Sequence, residues 1–266
     1  MSHRWLVAVD IGNARIKLGL FAGECAAGIP EPVRTLPLPD DAPEPEQISR
    51  WLADEGGQPL AWWIASVSRP ATTWLIDWLG AHRRRDRITL LASGDLPLVV
   101  RLERPDMVGI DRLVDAVAAN RLRQSDRAAL IVDVGTAITV DLLSADGAFC
   151  GGAILPGIQM SARALHEFTD LLPLVDAAEL TEPPPALGAA TVPAMESGLF
   201  WGAVGAIRQL IDELPKAAPG GRAGGAQVFL TGGAAESVAA LLGREARYVP
   251  NLTLAGIALT AWENTP

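Results

Sequence analysis

DIGNARIKLGLF, residues 10–21, follows directly on the apolar run Trp5–Val9, and DVGTAITVDLLS, residues 133–144, follows on Ala128–Val132. Each copy runs aspartate, apolar residue, glycine, small polar residue (Asn13 or Thr136) and alanine (Ala14 or Ala137). An apolar strand-like run, a glycine and a second apolar run predict strand, turn and strand. The glycine lets the backbone turn tightly close to a ligand, and consecutive turn N–H groups can converge on an anion. Asn13 and Thr136 carry side chains that hydrogen-bond phosphate oxygens, and Lys17 adds positive charge beside them. Asp10 and Asp133 stand where a cation would bridge to the phosphates. Either phrase alone also reads as an ordinary hairpin turn. Two in the same order, each opening a similar half, predict a duplicated fold whose paired turns hold one nucleotide triphosphate.

Working outward, short β-branched runs alternate with helical patterns in both halves, which predicts an α/β chain in two domains, 1–123 and 124–266. The first half reads as strands over VAVDIG, IKLGLF, AWWIASVS and RITLLAS, with a helix from Thr73 to Ala81. The second reads as strands over ALIVDVG, AITVDLLS, Cys150–Leu155 and QVFLTGG. A helix from Asp111 to Arg123, apolar at 113, 114, 117 and 118, is expected to bridge the halves. Pro30–Gln47, Thr181–Gly188 and Pro215–Gln227 read as loops. A helix from Pro193 to Leu214 carries Gly198, Gly202 and Gly205, a face suited either to deep core or to a subunit contact.

Composition narrows the functional class. A 266-residue chain that is 49% hydrophobic has material for two cores. A net charge of −9 argues against a nucleic-acid partner. The one basic cluster, His82–Arg87, reads as a solvated helix end. The two cysteines, Cys25 and Cys150, lack metal-ligand spacing and read as thiols of a reducing compartment, so a cytoplasmic protein is expected. The N-terminal stretch lacks the pattern of a signal peptide, and no stretch has the roughly 20 apolar residues of a spanning helix, so no membrane partner is expected. His3, His82 and His166 are too scattered for a metal site, and the eight tryptophans read as core or interface mass.

Neither a G-x-x-x-x-G-K-[ST] loop nor a G-x-G-x-x-G turn occurs, so phosphate binding needs another architecture. The paired hairpins resemble those of the actin, sugar-kinase and heat-shock ATPase superfamily, in which two ribonuclease-H-like domains bind ATP. FLTGGAAES, residues 229–237, resembles that superfamily's adenosine-side glycine turn. Within it, RPDMVGIDRLVDAV (104–117), GGAILPGIQMSARALHEFTDLLP (151–173), LGAATVPAMESGLFWGAVGAI (187–207) and PNLTLAGI (250–257) resemble segments of the type III pantothenate kinases.

That resemblance implies ATP-dependent phosphorylation of pantothenate, the entry to coenzyme A synthesis, by a homodimer. It implies a nucleotide loop over Asp10, Ile11, Gly12, Asn13, Ala14, Arg15, Ile16 and Lys17, with Thr136 as a further nucleotide contact. Asp111 becomes the proton acceptor, while Gly109, Ile110, Arg112 and Thr191 line the pantothenate pocket. Mg²⁺ is implied near Asp10 through the phosphates, and K⁺ or NH₄⁺ at Asp133. From the residues alone, Asp111 suits general-base work on an alcohol, and Arg112 suits an anionic substrate. A helix cap at Asp111, with Arg112 solvated, remains open on that ground, as does a cap at Thr191.

Three positions depart from the family pattern. Ala14 replaces a hydroxyl residue, which predicts weaker ATP binding by at most about one hydrogen bond, roughly 1 kcal/mol. Leu102 stands where a tyrosine is common, and Ile138 where a threonine is usual. A non-catalytic nucleotide-binding relative and a kinase for another small hydroxy acid are the competing expectations.

Overall fold

The computed structural model describes residues 5–23, 28–40, 43–55, 57–176, 180, 182–217, 225–243 and 246–264. The chain divides into two units, residues 1–122 with 251–266, and residues 123–250.

The first unit holds a five-stranded sheet in the order β3-β2-β1-β4-β5. Its strands are β1 (Trp5–Ile11), β2 (Arg15–Ala22), β3 (Arg34–Pro39), β4 (Ala61–Ser66) and β5 (Arg87–Leu90). β1, β2 and β3 pair antiparallel, and β4 and β5 run parallel to β1. Val7, Val9, Ile11 and Trp62 bury one face against α1 (Pro45–Trp51) and α2 (Arg69–His82). Each such aliphatic side chain contributes about 2 kcal/mol on leaving water. The opposite face, with Ala8, Gly19, Phe21 and Trp63, meets the last helix, α7 (Leu252–Glu263), and α3 (Ile110–Leu122) packs beside it.

The second unit repeats the plan. β6 (Ala129–Val134), β7 (Ala137–Leu143), β8 (Phe149–Pro156), β9 (Gln227–Thr231) and β10 (Ala246–Tyr248) lie in the order β8-β7-β6-β9-β10, with the same antiparallel and parallel senses. α4 (Ile158–Glu167), α5 (Thr191–Ala217) and α6 (Ala235–Ala239) cover the face built on Leu130, Val132 and Val140. The α/β class and the duplication stand as expected from the two phrases.

Several expectations need correction. The Pro-rich stretch 30–47 contains β3 and the start of α1, because an edge strand needs ladder donors on one side only and so tolerates Pro37 and Pro39. Residues 251–266 belong with the first unit, not with 124–250. The reason is α7 (Leu252–Glu263), buried from Leu254 to Ala261 and wrapped by α3 and β1, as a helix apolar on all sides must be. α3 belongs to the first unit. α5 runs on through Pro215 to Ala217, and residues 218–224 of the expected loop lie outside the described residues.

The segment 182–188 is irregular but fastened. Trp201 Nε1 donates to Pro184 O at 2.9 Å, and Ser197 Oγ donates to Ala186 O at 2.7 Å. Gly198, Gly202 and Gly205 open onto empty space, so the small-residue face of α5 is not deep core. Arg83 is more than a solvated helix end. Its guanidinium grips Asp86 at 2.7 Å and donates to Gln58 O, while Asp86 also accepts from Trp62 Nε1. His82 stacks on Trp78 and His166 bonds Leu172 O; His3 and Cys25 lie outside the described residues.

Candidate active site

The first hairpin closes tightly. Asp10 pairs with Lys17 and Ile11 with Ile16, and Gly12 N–H donates to Arg15 O at 2.9 Å. That leaves Asn13 and Ala14 exposed at the tip, and among the described residues their N–H groups have no backbone acceptor. Such donors are free to meet an anion. By strand parity Asp10, Arg15 and Lys17 share a face, the one that α7 covers further along. Asp10 and Lys17 are half-buried and Arg15 is exposed.

The second hairpin differs in register. Asp133 pairs with Thr139 and Val134 with Ile138, while Gly135 N–H donates to Ala137 O at 3.1 Å. Its turn is one residue shorter, so the position facing its aspartate is Thr139, where the first hairpin has Lys17. The two phrases align through the turn and then slip by one.

Asp133 and the turn that follows it are packed between glycines. A Cβ on Gly232 would stand 2.6 Å from Val134 N and O and closer still to Asp133 Oδ1. One on Gly157 would stand 2.9 Å from Thr136 C and closer to the carbonyl oxygens of Gly135 and Thr136. Gly157 N–H donates to Thr136 O, and Ala234 N–H to Val134 O. The glycine turn after β9 and the turn after β8 therefore meet at the second hairpin. The sequence offered both glycines inside recognisable segments, but not their shared contact with Asp133 and its turn.

Asp111 is the second residue of α3 and half-buried. Its Oδ1 accepts the Arg112 N–H at 2.8 Å and lies where a Cβ on Gly109 would fall, which gives the physical reason for glycine at that position. Ile110 is buried and Arg112 half-buried. Just ahead, Arg104 forks onto the exposed Asp106 at 2.9 and 2.6 Å, and this hydrogen bond holds the Asp106 carboxyl below its ordinary range. Thr191 is exposed and forms the first residue of α5.

α3 and α7 run side by side. Val114 meets Gly256 near their starts, and Asn120, Arg121, Trp262 and Glu263 line one cleft near their ends. α7 in turn passes Gly19 with Leu254 and Phe21 with Trp262, so its start lies toward the first hairpin. Asp111, at the start of α3, therefore lies at the hairpin end of the first unit. Asp133, Thr136 and Thr191, at the head of α5, belong to the second unit.

The sequence profile of type III pantothenate kinases matches residues 6–213. This chain belongs to the type III pantothenate kinase family. It is 33% identical to the type III pantothenate kinase of Rhodospirillum rubrum, covering 98% of this chain and 99% of that protein. It is 35% identical to that of Paramagnetospirillum magneticum over 79% of this chain and 80% of that one. Among solved structures, a putative N-acetylmannosamine kinase from Listeria monocytogenes superposes with a TM-score of 0.53 at 15% identity, covering 98% of this chain and all of that one. The activator of 2-hydroxyisocaproyl-CoA dehydratase from Clostridium difficile, with bound ADPNP, gives 0.51 at 14% identity over 97% and 93% of the two chains. Likeness at that level concerns the fold alone, and it agrees with two duplicated α/β domains.

Proposed function

We propose that the chain transfers the terminal phosphoryl group of ATP to the hydroxyl of pantothenate, giving 4′-phosphopantothenate and ADP, the first step of coenzyme A synthesis. The observation that carries this reading, within its family, is that the first unit alone gathers Asp111 and the Asp10–Lys17 hairpin at one end. Asp111 accepts the proton that the alcohol loses as the O–P bond forms. Arg112 draws the carboxylate of pantothenate beside it, Gly109 and Ile110 line the same pocket, and Thr191 is a further substrate contact. The tip N–H groups of Asn13 and Ala14 and the cations of Arg15 and Lys17 hold phosphate oxygens, which leaves little for a hydroxyl at position 14 to add. Ile11 and Ile16 flank the tip as buried anchors, and Thr136 is the nucleotide contact of the second hairpin.

Mg²⁺ on the ATP phosphates near Asp10 would neutralise charge that builds during transfer. Asp133 offers a carboxylate oxygen beside the carbonyl-lined second turn, a hard donor set suited to K⁺ or NH₄⁺, in a cradle that a side chain on Gly232 would fill. The open glycine face of α5, with Phe168 80%, Leu171 90% and Leu187 87% exposed in the same unit, supports a homodimer formed through that unit. No helix among the described residues is long and apolar enough to cross a membrane, and a cytoplasmic location fits a metabolic kinase.

The test is release of ADP with pantothenate, with and without K⁺, beside a panel of other small hydroxy acids. Pantothenate-dependent ADP release is expected. Release with another hydroxy acid alone, or nucleotide binding without turnover, would replace this reading with one of its two rivals.

A further inference from the structure

α7 touches both working parts of the first unit through glycines. On the hairpin side, a Cβ on Gly19 would stand 2.9 Å from Leu254 Cδ1, and Gly19 follows Lys17 by two residues on the same face of β2. On the other side, a Cβ on Gly256 would stand 2.6 Å from the Val114 carbonyl carbon and nearer still to its oxygen. Val114 follows Asp111 by three residues in α3, about 4.5 Å of helix at the usual rise. Lys17 lies about 7 Å of strand from Gly19. Thr260 Oγ1 donates to Gly256 O at 2.9 Å, bracing the helix just behind this crossing.

We propose that α7 is the spacer that sets the separation between the phosphate hairpin and Asp111, with Leu254 and Gly256 as its positioning residues. This rests on the reading of Asp111 as base and of Asp10–Lys17 as phosphate hairpin. The physical ground is reach. A base works at about 2.6–3.2 Å from its proton donor, and a misplacement of about 1 Å costs on the order of a hundredfold in rate. At Gly256 backbone meets backbone with no flexible side chain to give way, so a methyl there forces α3 and α7 apart by roughly 1 Å. Leu254 sets the gap on the other side, where its Cδ1 fills the space that Gly19 leaves empty.

The experiment is a double-mutant cycle. Gly256→Ala is made in the natural chain and in Asp111→Asn, with kcat from ADP release, MgADP affinity by titration, and folding by circular dichroism. In the natural background kcat is expected to fall about thirtyfold or more while MgADP affinity stays within about twofold. In Asp111→Asn, where the base is already gone, the same change should cost less than about threefold. Equal losses in the two backgrounds, or unchanged kcat in a folded Gly256→Ala protein, overturn the spacer. Should Gly256→Ala fail to fold, Leu254→Val is read the same way: a severalfold loss confined to the natural background supports the proposal, and equal losses refute it. Full turnover in Asp111→Asn itself would overturn the base assignment and the spacer with it, an outcome distinct from equal losses, which remove the spacer alone.

Discussion

Gly232→Ala tests the packing around Asp133 most directly. Gly232 has φ +99°, a conformation that costs a side-chain-bearing residue roughly 1–2 kcal/mol. The new methyl would also overlap Asp133 Oδ1 and stand 2.6 Å from Val134 N and O, an overpacking that adds about 1–3 kcal/mol. Taking about 3 kcal/mol in all, the unfolding midpoint should drop by roughly 6–12 °C at a few degrees per kcal/mol for a chain of this size. Gly243 separates the two contributions. Its φ is +100°, yet a Cβ there meets nothing within 4 Å, so Gly243→Ala bears the backbone cost alone, about 1 kcal/mol or roughly 2–4 °C. Thermal unfolding of both variants by circular dichroism is paired with MgADP titrations in K⁺ and in Na⁺. The expected result is a deeper loss for Gly232→Ala together with a weakened K⁺ response, and an unchanged K⁺ response for Gly243→Ala. Equal midpoints for the two variants would mean that Asp133 is not cradled as described.

Asp111→Asn should fold normally and lose roughly a hundredfold or more in kcat, measured by ADP release; near-normal turnover would remove it as base. Asp133→Ala should flatten the dependence of turnover on K⁺ or NH₄⁺, and an unchanged cation titration would refute that assignment. Trp201→Phe deletes the bond to Pro184 O, at about 1 kcal/mol, and should speed hydrogen exchange at the amides of Ala186, Leu187 and Gly188, which follow three prolines; unaltered exchange would show the segment held by other means. Tyr248 is the chain's single tyrosine, so near-ultraviolet absorbance titrates it alone. Burial first, and Glu236 second, raise its pKa above 10.0. The folded state therefore holds this proton more tightly than the unfolded one, and stability should fall as pH rises beyond about 10. A midpoint at or below that of the urea-unfolded chain would contradict the burial.

Much of the fold could be read from two turns. The strand before each glycine is buried and β-branched, which fixes its place in a sheet, and the repeat of the phrase implied the repeat of the sheet. The register slip was not legible. Whether a hairpin closes over four residues or three depends on backbone angles that DIGNA and DVGTA do not spell out, and so the exchange of Lys17 for Thr139 opposite the aspartate stayed hidden. β3 was missed because prolines signal loops to a local reading, whereas the cost of proline in a strand depends on whether that strand lies at an edge. The return of α7 was missed because membership of a unit is decided by contacts across more than a hundred residues. Only the uncharged, mostly apolar character of LTLAGIALTAW hinted that this helix is surrounded. At the candidate site, the glycine of G-I-D-R was visible as a letter, but the reason for it, room for the Asp111 carboxylate, exists only in the folded chain.

The first unit is sewn from two separate stretches of chain, and this bears on its birth at the ribosome. When residue 122 has emerged, the sheet face bearing Ala8, Phe21 and Trp63 still lacks its cover, and it must wait while the whole continuous second unit is translated before Leu252–Glu263 arrives. A nascent or prematurely ended polypeptide thus displays a greasy sheet that the finished protein conceals, a natural handle for chaperones and for proteolytic disposal.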